Sequence, residues 1–344
     1  MLAHYVGCEG LPEYTSPFSR HDFTLAQLFA VLVLREMLGL SYRGVEALLI
    51  DTPELCNAIR LRSVPDHATL CRAFKHINTK ANLARMLERV IQLMHEETST
   101  TLAIDSTLYD THHRSRHYER RCRQHASSEK RTANTRRRRT ARRTPKLSIG
   151  VDVDTHLILS MKAKHGMGSD APDFDDLLYD AWKRTRIRTA LADAGFDSEE
   201  NHEIARHEMR VRSLIKAGAG RPTSKRATGR YRRKMYKELE GSQAGEPYGQ
   251  RAQAETVMSM LKRNLGDSLR CRTTQRQKRE LMFKVVVHNL MIRRRIRGLQ
   301  QSRTQLVFRR CGLHFVRPSK TSCVPVFRPV RRATLTQGTL QRAL

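Results

Sequence analysis

Thr101-Leu102-Ala103-Ile104-Asp105 is a short apolar run that ends in a carboxylate. It is too short for a helix and reads as a buried strand. The same texture recurs downstream. Lys146-Leu-Ser-Ile-Gly-Val-Asp-Val-Asp154 and His156-Leu-Ile-Leu-Ser-Met-Lys162 read as a strand pair turning at Thr155. Phe174 to Trp182 reads as a helix, and Arg188-Thr-Ala-Leu-Ala-Asp193 as a second strand ending in a carboxylate. Glu199 to Met209 follows as a helix, Val211 to Ile215 as a strand, and Pro247 to Leu265 and about Arg279 to Arg295 as two more helices. This order predicts an α/β fold, a mixed sheet flanked by helices. Two acidic strand ends on such a sheet can converge at one edge, and ligand sites of open α/β sheets lie just beyond the strand ends.

The first hundred residues read as helical. Leu25, Leu28, Phe29, Leu32 and Val33 recur at helical spacing until Gly39 ends the run. Ser41 can cap a short helix through Leu49, Thr52-Pro53-Glu54 opens another, Asp66 starts a third, and Asn82 to Met94 forms a fourth. Short helices joined by tight turns fit a helix-turn-helix DNA module or a plain helical bundle about equally.

The chain carries a formal net charge of +30 over 344 residues. An excess of that size repels itself and calls for a polyanion, nucleic acid being the usual one. A membrane surface is disfavoured, because no basic helix has a bulky apolar face and the longest apolar stretch, Leu25 to Leu34, is too short to span a bilayer. The seven cysteines are scattered with no CxxC pair, and the start lacks a signal-peptide pattern, so the chain reads as intracellular with reduced thiols.

The charge is concentrated in three places. Thr111 to Lys146 contains Arg136-Arg137-Arg138-Arg139 and only two acids, Glu119 and Glu129, so it reads as a disordered or DNA-ordered insertion. Arg221 to Lys237 reads as a second basic loop, and the acid-free tail from Met291 to Leu344 as poorly ordered without DNA. His112, His113, His117, Cys122 and His125 invite a zinc reading but lack the spacing of zinc motifs.

Phosphodiester cleavage by two metals needs a few carboxylates around cations roughly 4 Å apart. Asp105 and Asp193 each end a predicted strand. Asp197 is the rival to Asp193 but reads better as the cap of the helix from Ser198, and Asp152 and Asp154 belong to the hairpin. The third acid should come from a helix, and Glu255 fits. Tyr248, Arg251, Glu255 and Lys262 stand at i, i+3, i+7 and i+14, one stripe on one helix face. The plainer reading of that stripe is a solvated face with an i, i+4 Arg–Glu pair.

The spacing Tyr-x2-Arg-x3-Glu-x6-Lys resembles the signature of DDE transposases of prokaryotic insertion sequences, the branch grouped around insertion sequences four and five. Leu102-Ala-Ile-Asp105-Ser-Thr is similar to that family's first-Asp strand, and Leu191-Ala-Asp193-Ala-Gly-Phe-Asp197-Ser to its second-Asp motif. Ser63-Val-Pro65-Asp-His-Ala-Thr69-Leu70-Cys-Arg72-Ala-Phe74 is similar to its N-terminal DNA-binding region. The long arginine-rich insertion after Asp105 and the tail beyond Arg293 depart from the family pattern.

The resemblance implies an RNase H-like catalytic domain over 99–297, interrupted at about 111–146. It implies an all-helical DNA-binding region over 1–98 and leaves a basic tail over 298–344. It implies that Asp105, Asp193 and Glu255 hold two Mg²⁺ ions, with Mn²⁺ as a substitute. Tyr248, Arg251, Lys262 and the Arg136–Arg139 run would contact DNA. The partners implied are double-stranded DNA, as terminal inverted repeats and target, and a second copy in a synaptic homodimer, without a membrane. The place of action implied is the cytoplasm, at the nucleoid. Two rivals remain: a catalytically inactive transposase-derived DNA-binding protein, and a basic RNA-associated protein.

Overall fold

The computed structural model describes residues 1–93, 100–112, 144–166, 168–216, 229–240 and 245–310, with backbone alone at 240, 245–246 and 297–310. The Arg136–Arg139 run, His113, His117, Cys122, His125 and residues 311–344 lie outside the described residues. Contacts divide the chain into Met1–Ile292 and Arg293–Leu344. The site lies in the first unit.

That unit begins with six helices, α1 (Leu2–Gly10), α2 (Leu25–Met37), α3 (Tyr42–Asp51), α4 (Pro53–Ala58), α5 (His67–Ile77) and α6 (Lys80–Gln92). Four of the six starts are set by side-chain caps. Thr24 and Gln27 form a capping box, and Ser41, Asp66 and Thr79 each accept an N–H of the first turn. Gly39, at φ +66°, permits the tight turn between α2 and α3. Helix α1 was not expected from the sequence. Its glycines hide the reason: a Cβ on Gly7 would sit 2.9 Å from the Ala26 backbone, so α1 packs against α2 through an absent side chain. Among the described residues no single helix is long and apolar enough to cross a membrane.

Among the described residues seven strands follow, β1 (Thr100–Leu108), β2 (Asp110–Thr111), β3 (Pro145–Asp152), β4 (Ile158–His165), β5 (Ile187–Ala192), β6 (Arg212–Ile215) and β7 (Ser268–Leu269). Five form a sheet in the order β4-β3-β1-β5-β6, while β2 pairs with β7 separately. β4, β3 and β1 are antiparallel neighbours, and β1, β5 and β6 are parallel. The mixed sheet read from the sequence is therefore the observed one. It is flanked by α7 (Phe174–Trp182), α8 (Glu199–Glu203), α9 (Arg230–Glu240), α10 (Gly245–Gly249), α11 (Ala252–Leu265) and α12 (Thr274–Arg310).

Three expectations need correction. The helix expected over 199–209 is α8 followed by a π-turn at Ile204–Glu208. The basic loop expected over 221–237 contains α9 from Arg230 onward. The helix expected over 247–265 is broken, with α10 and α11 separated by a turn at Gln250–Arg251, so Tyr248 lies on a different helix from Glu255.

Helix α12 covers the exposed edge of β4. Asn289 accepts the Ile158 N–H at 3.0 Å and donates to the Ile158 carbonyl at 2.9 Å, satisfying backbone groups that would otherwise offer themselves for pairing. Beside it, His288 Nε2 donates to the His156 carbonyl at 3.2 Å. Burial pushes the His288 pKa down to about 4. The folded protein thus resists a proton that the unfolded chain takes up near 6.5, so stability rises with pH between those values. Lowering the pH from 6.5 to 4 should remove on the order of 3 kcal/mol at this residue. Chemical denaturation of His288→Asn against the parent across that window checks this, and parallel pH profiles would refute it.

Candidate active site

The parallel register of β1 and β5 aligns Ile104 with Ala192. Asp105 and Asp193 are the next residues in line, so two carboxylates stand side by side, Asp193 just past the end of β5 and Asp105 within β1, which runs on to Leu108, beyond the strand end expected at Asp105. Asp105 is half-buried inside β1, and Asp193 is exposed at the start of the 3₁₀ turn Ala194–Phe196. Apolar neighbours on both sides of these strands, Leu102, Ile104, Leu191 and Ala192, are fully buried and fix the strand positions. Helix α11 packs across β1 with Ala254, Val257, Met258 and Leu261 buried, which leaves Glu255 at the flank of that face, beside β1. Asp105, Ser106 and Thr107 share with Glu255, Ser259 and Lys262 a cleft of about 360 Å³.

Burial raises the Asp105 pKa, and the charges of Asp193 and Glu255 raise it further, against the Ser106 N–H and the Arg251 cation. Asp105 thus feels both of the other acids. Arg251 stands immediately before α11 and donates to Glu255 at 2.7 Å. Burial opposes the Arg251 charge, but Glu255, Tyr248 and Asp193 outweigh it and raise its pKa. The i, i+4 pair weighed as the plainer reading exists, and it sits among the three acids. Tyr248 donates to the Ala192 carbonyl at 3.4 Å, one residue before Asp193. The break between α10 and α11 therefore leaves Tyr248 at the site although it leaves the helix face. Lys262 stands 5.5 Å above the ring of buried Tyr109.

The donor set is oxygen alone, which suits a hard divalent cation. Among the described residues no three His, Cys, Asp or Glu side chains converge tightly enough to hold an ion as they stand. Glu255 is held by Arg251, and an ion between the acids requires that pair to open.

Of two further acids that matter here, Asp170 escaped the sequence reading and Asp197 has a different role from the one expected. Asp170 accepts the Ser106 hydroxyl at 2.9 Å, pairs with Lys146, and lies against Gly195, where a Cβ would be 3.6 Å from its carboxylate. It links the segments that carry Asp105 and Asp193. Asp197 is not a helix cap, since Ser198 accepts the Asn201 N–H. Asp197 is a buried carboxylate bonded by Arg232 at 2.9 and 2.5 Å and by Tyr236 at 3.0 Å. Burial acts to raise its pKa, but His202, Arg232 and Tyr236 hold it far below the usual carboxylate range. Asp152 is likewise structural, taking the Thr100 and Thr155 hydroxyls.

The family profile described as "Transposase DDE domain" matches residues 96–290, more than half of the chain. The chain belongs to that family. None of the curated proteins compared matches it. Among solved structures, a piggyBac transposase synaptic complex with hairpin DNA is similar over 85% of this chain and 70% of that one, at 10% identity and a TM-score of 0.41.

Proposed function

We propose that this protein is an insertion-sequence transposase of the insertion-sequence four/five branch that cuts and joins DNA at the ends of its element. The adjacency of Asp105, within β1, and Asp193, just past the end of β5 in the same register, with Glu255 on the helix across β1, carries the reading. Asp105, Asp193 and Glu255 would hold two Mg²⁺ ions, or Mn²⁺ in their place. The ions would supply activation of the attacking oxygen and stabilisation of the leaving one. The sheet is then an RNase H-like core over 99–297, and the helices of 1–98 are a DNA-binding region.

Arg251 offers a bidentate fork to a phosphate, and releasing Glu255 frees it to do so. Lys262 holds a second phosphate beside Tyr109. Half-buried Tyr248 contacts the terminal strand near Asp193. Arg136–Arg139 add backbone contacts, and two copies bring two element ends together. The protein would act in the cytoplasm on nucleoid DNA.

The test is incubation of the full chain with duplex carrying the element's ends, with Mg²⁺ and with chelator. Metal-dependent nicks followed by joined products are expected. Tight, salt-sensitive binding with no product under any divalent ion would leave a DNA-binding protein without turnover. Preference for structured RNA in competition would overturn the DNA reading altogether.

A further inference from the structure

The segment read as a basic loop contains a helix with two unlike faces. On α9, Arg232 and Met235 are buried, and Tyr236 and Leu239 are partly so. Arg230, Arg233, Lys234 and Lys237 are all exposed. Those four stand at i, i+3, i+4 and i+7, a single stripe. Three acids nearby are taken up by other groups. Glu199 accepts the N–H groups of Tyr231 and Arg232 at 2.9 and 3.0 Å, closing the first turn of α9. Glu238 takes Arg206 and Arg212, and Asp197 takes Arg232. Among the described residues none of the four outward cations has an ion pair. Arg233 donates to the Gly229 carbonyl at 2.9 Å, and Arg230 lies 5.8 Å from the Tyr231 ring.

This helix is fastened to the second-Asp segment. Met235 packs with Leu191, two residues before Asp193, and with Leu214, and Tyr248 joins the same cluster. Arg232 locks Asp197, four residues after Asp193. Gly229, at φ +106°, brings the chain so close to Glu199 that a Cβ would collide with its carboxylate.

We propose that the outer face of α9 is a phosphate-contacting surface for the duplex that flanks the scissile bond. The proposal rests on the reading of DNA as substrate. Four cations in one row, without an ion pair among the described residues, repel one another, and a polyanion relieves that repulsion. The row spans about 10 Å at 1.5 Å per residue, and duplex DNA presents about one charge per 1.7 Å. The four positions carry no aromatic side chain on which unpaired bases could stack. They carry charge without an apolar component, as a sequence-independent grip requires. Through Leu191 and Asp197, that grip sets the duplex relative to Asp193.

The experiment is equilibrium binding of the full chain to a fluorescent 30-mer duplex, random or carrying the element's end, across salt. Parent and the fourfold variant Arg230→Gln, Arg233→Gln, Lys234→Gln, Lys237→Gln are compared. Each lost contact should reduce the slope of log K against log salt by about 0.9, so the variant should lose about three to four units, equally on both duplexes. All four side chains are exposed, and unchanged melting will verify the fold. A second variant, Lys234→Cys, should form a disulfide with duplex bearing a thiol-tethered phosphate beside the cleavage site, and not with one tethered ten or more base pairs away.

A slope change below one unit, or crosslinking indifferent to tether position, would overturn the proposal. So would a variant that loses only single-stranded RNA or acidic-peptide binding. Slope loss in a protein that never cleaves DNA would instead sink the transposition reading and leave the surface standing.

Discussion

Glu255→Gln should reduce DNA cleavage by at least about 10³-fold, roughly 4 kcal/mol of barrier, with folding stability changed by less than about 0.5 kcal/mol. The two expectations come from one geometry. Glu255 is 56% exposed, and its bond to Arg251 at 2.7 Å survives in glutamine, whose carbonyl still accepts. An exposed pair of this kind contributes little to stability. The charge that glutamine lacks is the one a divalent cation needs. Asp105→Asn extends the argument. Burial and the neighbouring acids already disfavour the Asp105 carboxylate, so removing its charge should leave the metal-free protein at least as stable while abolishing cleavage. Melting curves beside nicking rates distinguish this from structural damage. Cleavage by Glu255→Gln within tenfold of the parent would remove Glu255 from the ligand set.

The strands that place this site were legible because each is short, apolar and closed by polar residues. The β3–β4 hairpin, α7 and β5 lie where that pattern sets them, and β1 begins there but runs three residues past Asp105. Asp105, Asp193 and Glu255 were picked out as candidates for a different reason: their type and order resemble a known signature. What escaped depends on partners far away in sequence. Arg230-Tyr-Arg-Arg-Lys-Met-Tyr-Lys237 reads as a charge run, since its helix is fixed by Asp197, 35 positions before Arg232, and by Glu199, 32 before Tyr231. Asp170 stands 64 positions from the Ser106 hydroxyl it takes. The break at Gln250–Arg251 has no proline to announce it, and periodicity carried straight through. Glycine-rich α1 was missed because its packing signal is the lack of a side chain.

Lys284→Ala should destabilise the protein by about 3–5 kcal/mol, the usual result of stripping one partner from a buried ion pair. Lys284 is 2% exposed on α12 and donates to Glu36 on α2 at 2.9 Å. It also donates to the Leu265 carbonyl, the last residue of α11 before Gly266. Alanine leaves a carboxylate that is 7% exposed facing a void, and it removes a donor from the end of the helix that carries Glu255. Arg35, 3.4 Å from Glu36, compensates in part, which favours the lower end of the range.

The surrounding contacts are aromatic, Phe283 standing 6.1 Å from Phe29 and 5.3 Å from Phe74, so the loss is not relieved by separation of the helices. The double variant Glu36→Leu with Lys284→Met removes both charges and should recover most of the stability, because well-packed apolar replacements of a buried pair are often neutral or better. The midpoint of thermal unfolding, lowered by roughly 10 °C in the single variant and restored in the double, measures both effects. A single variant melting with the parent, or a double variant worse than the sum of its parts, would show that α2 and α11 are held together by packing and not by this charge.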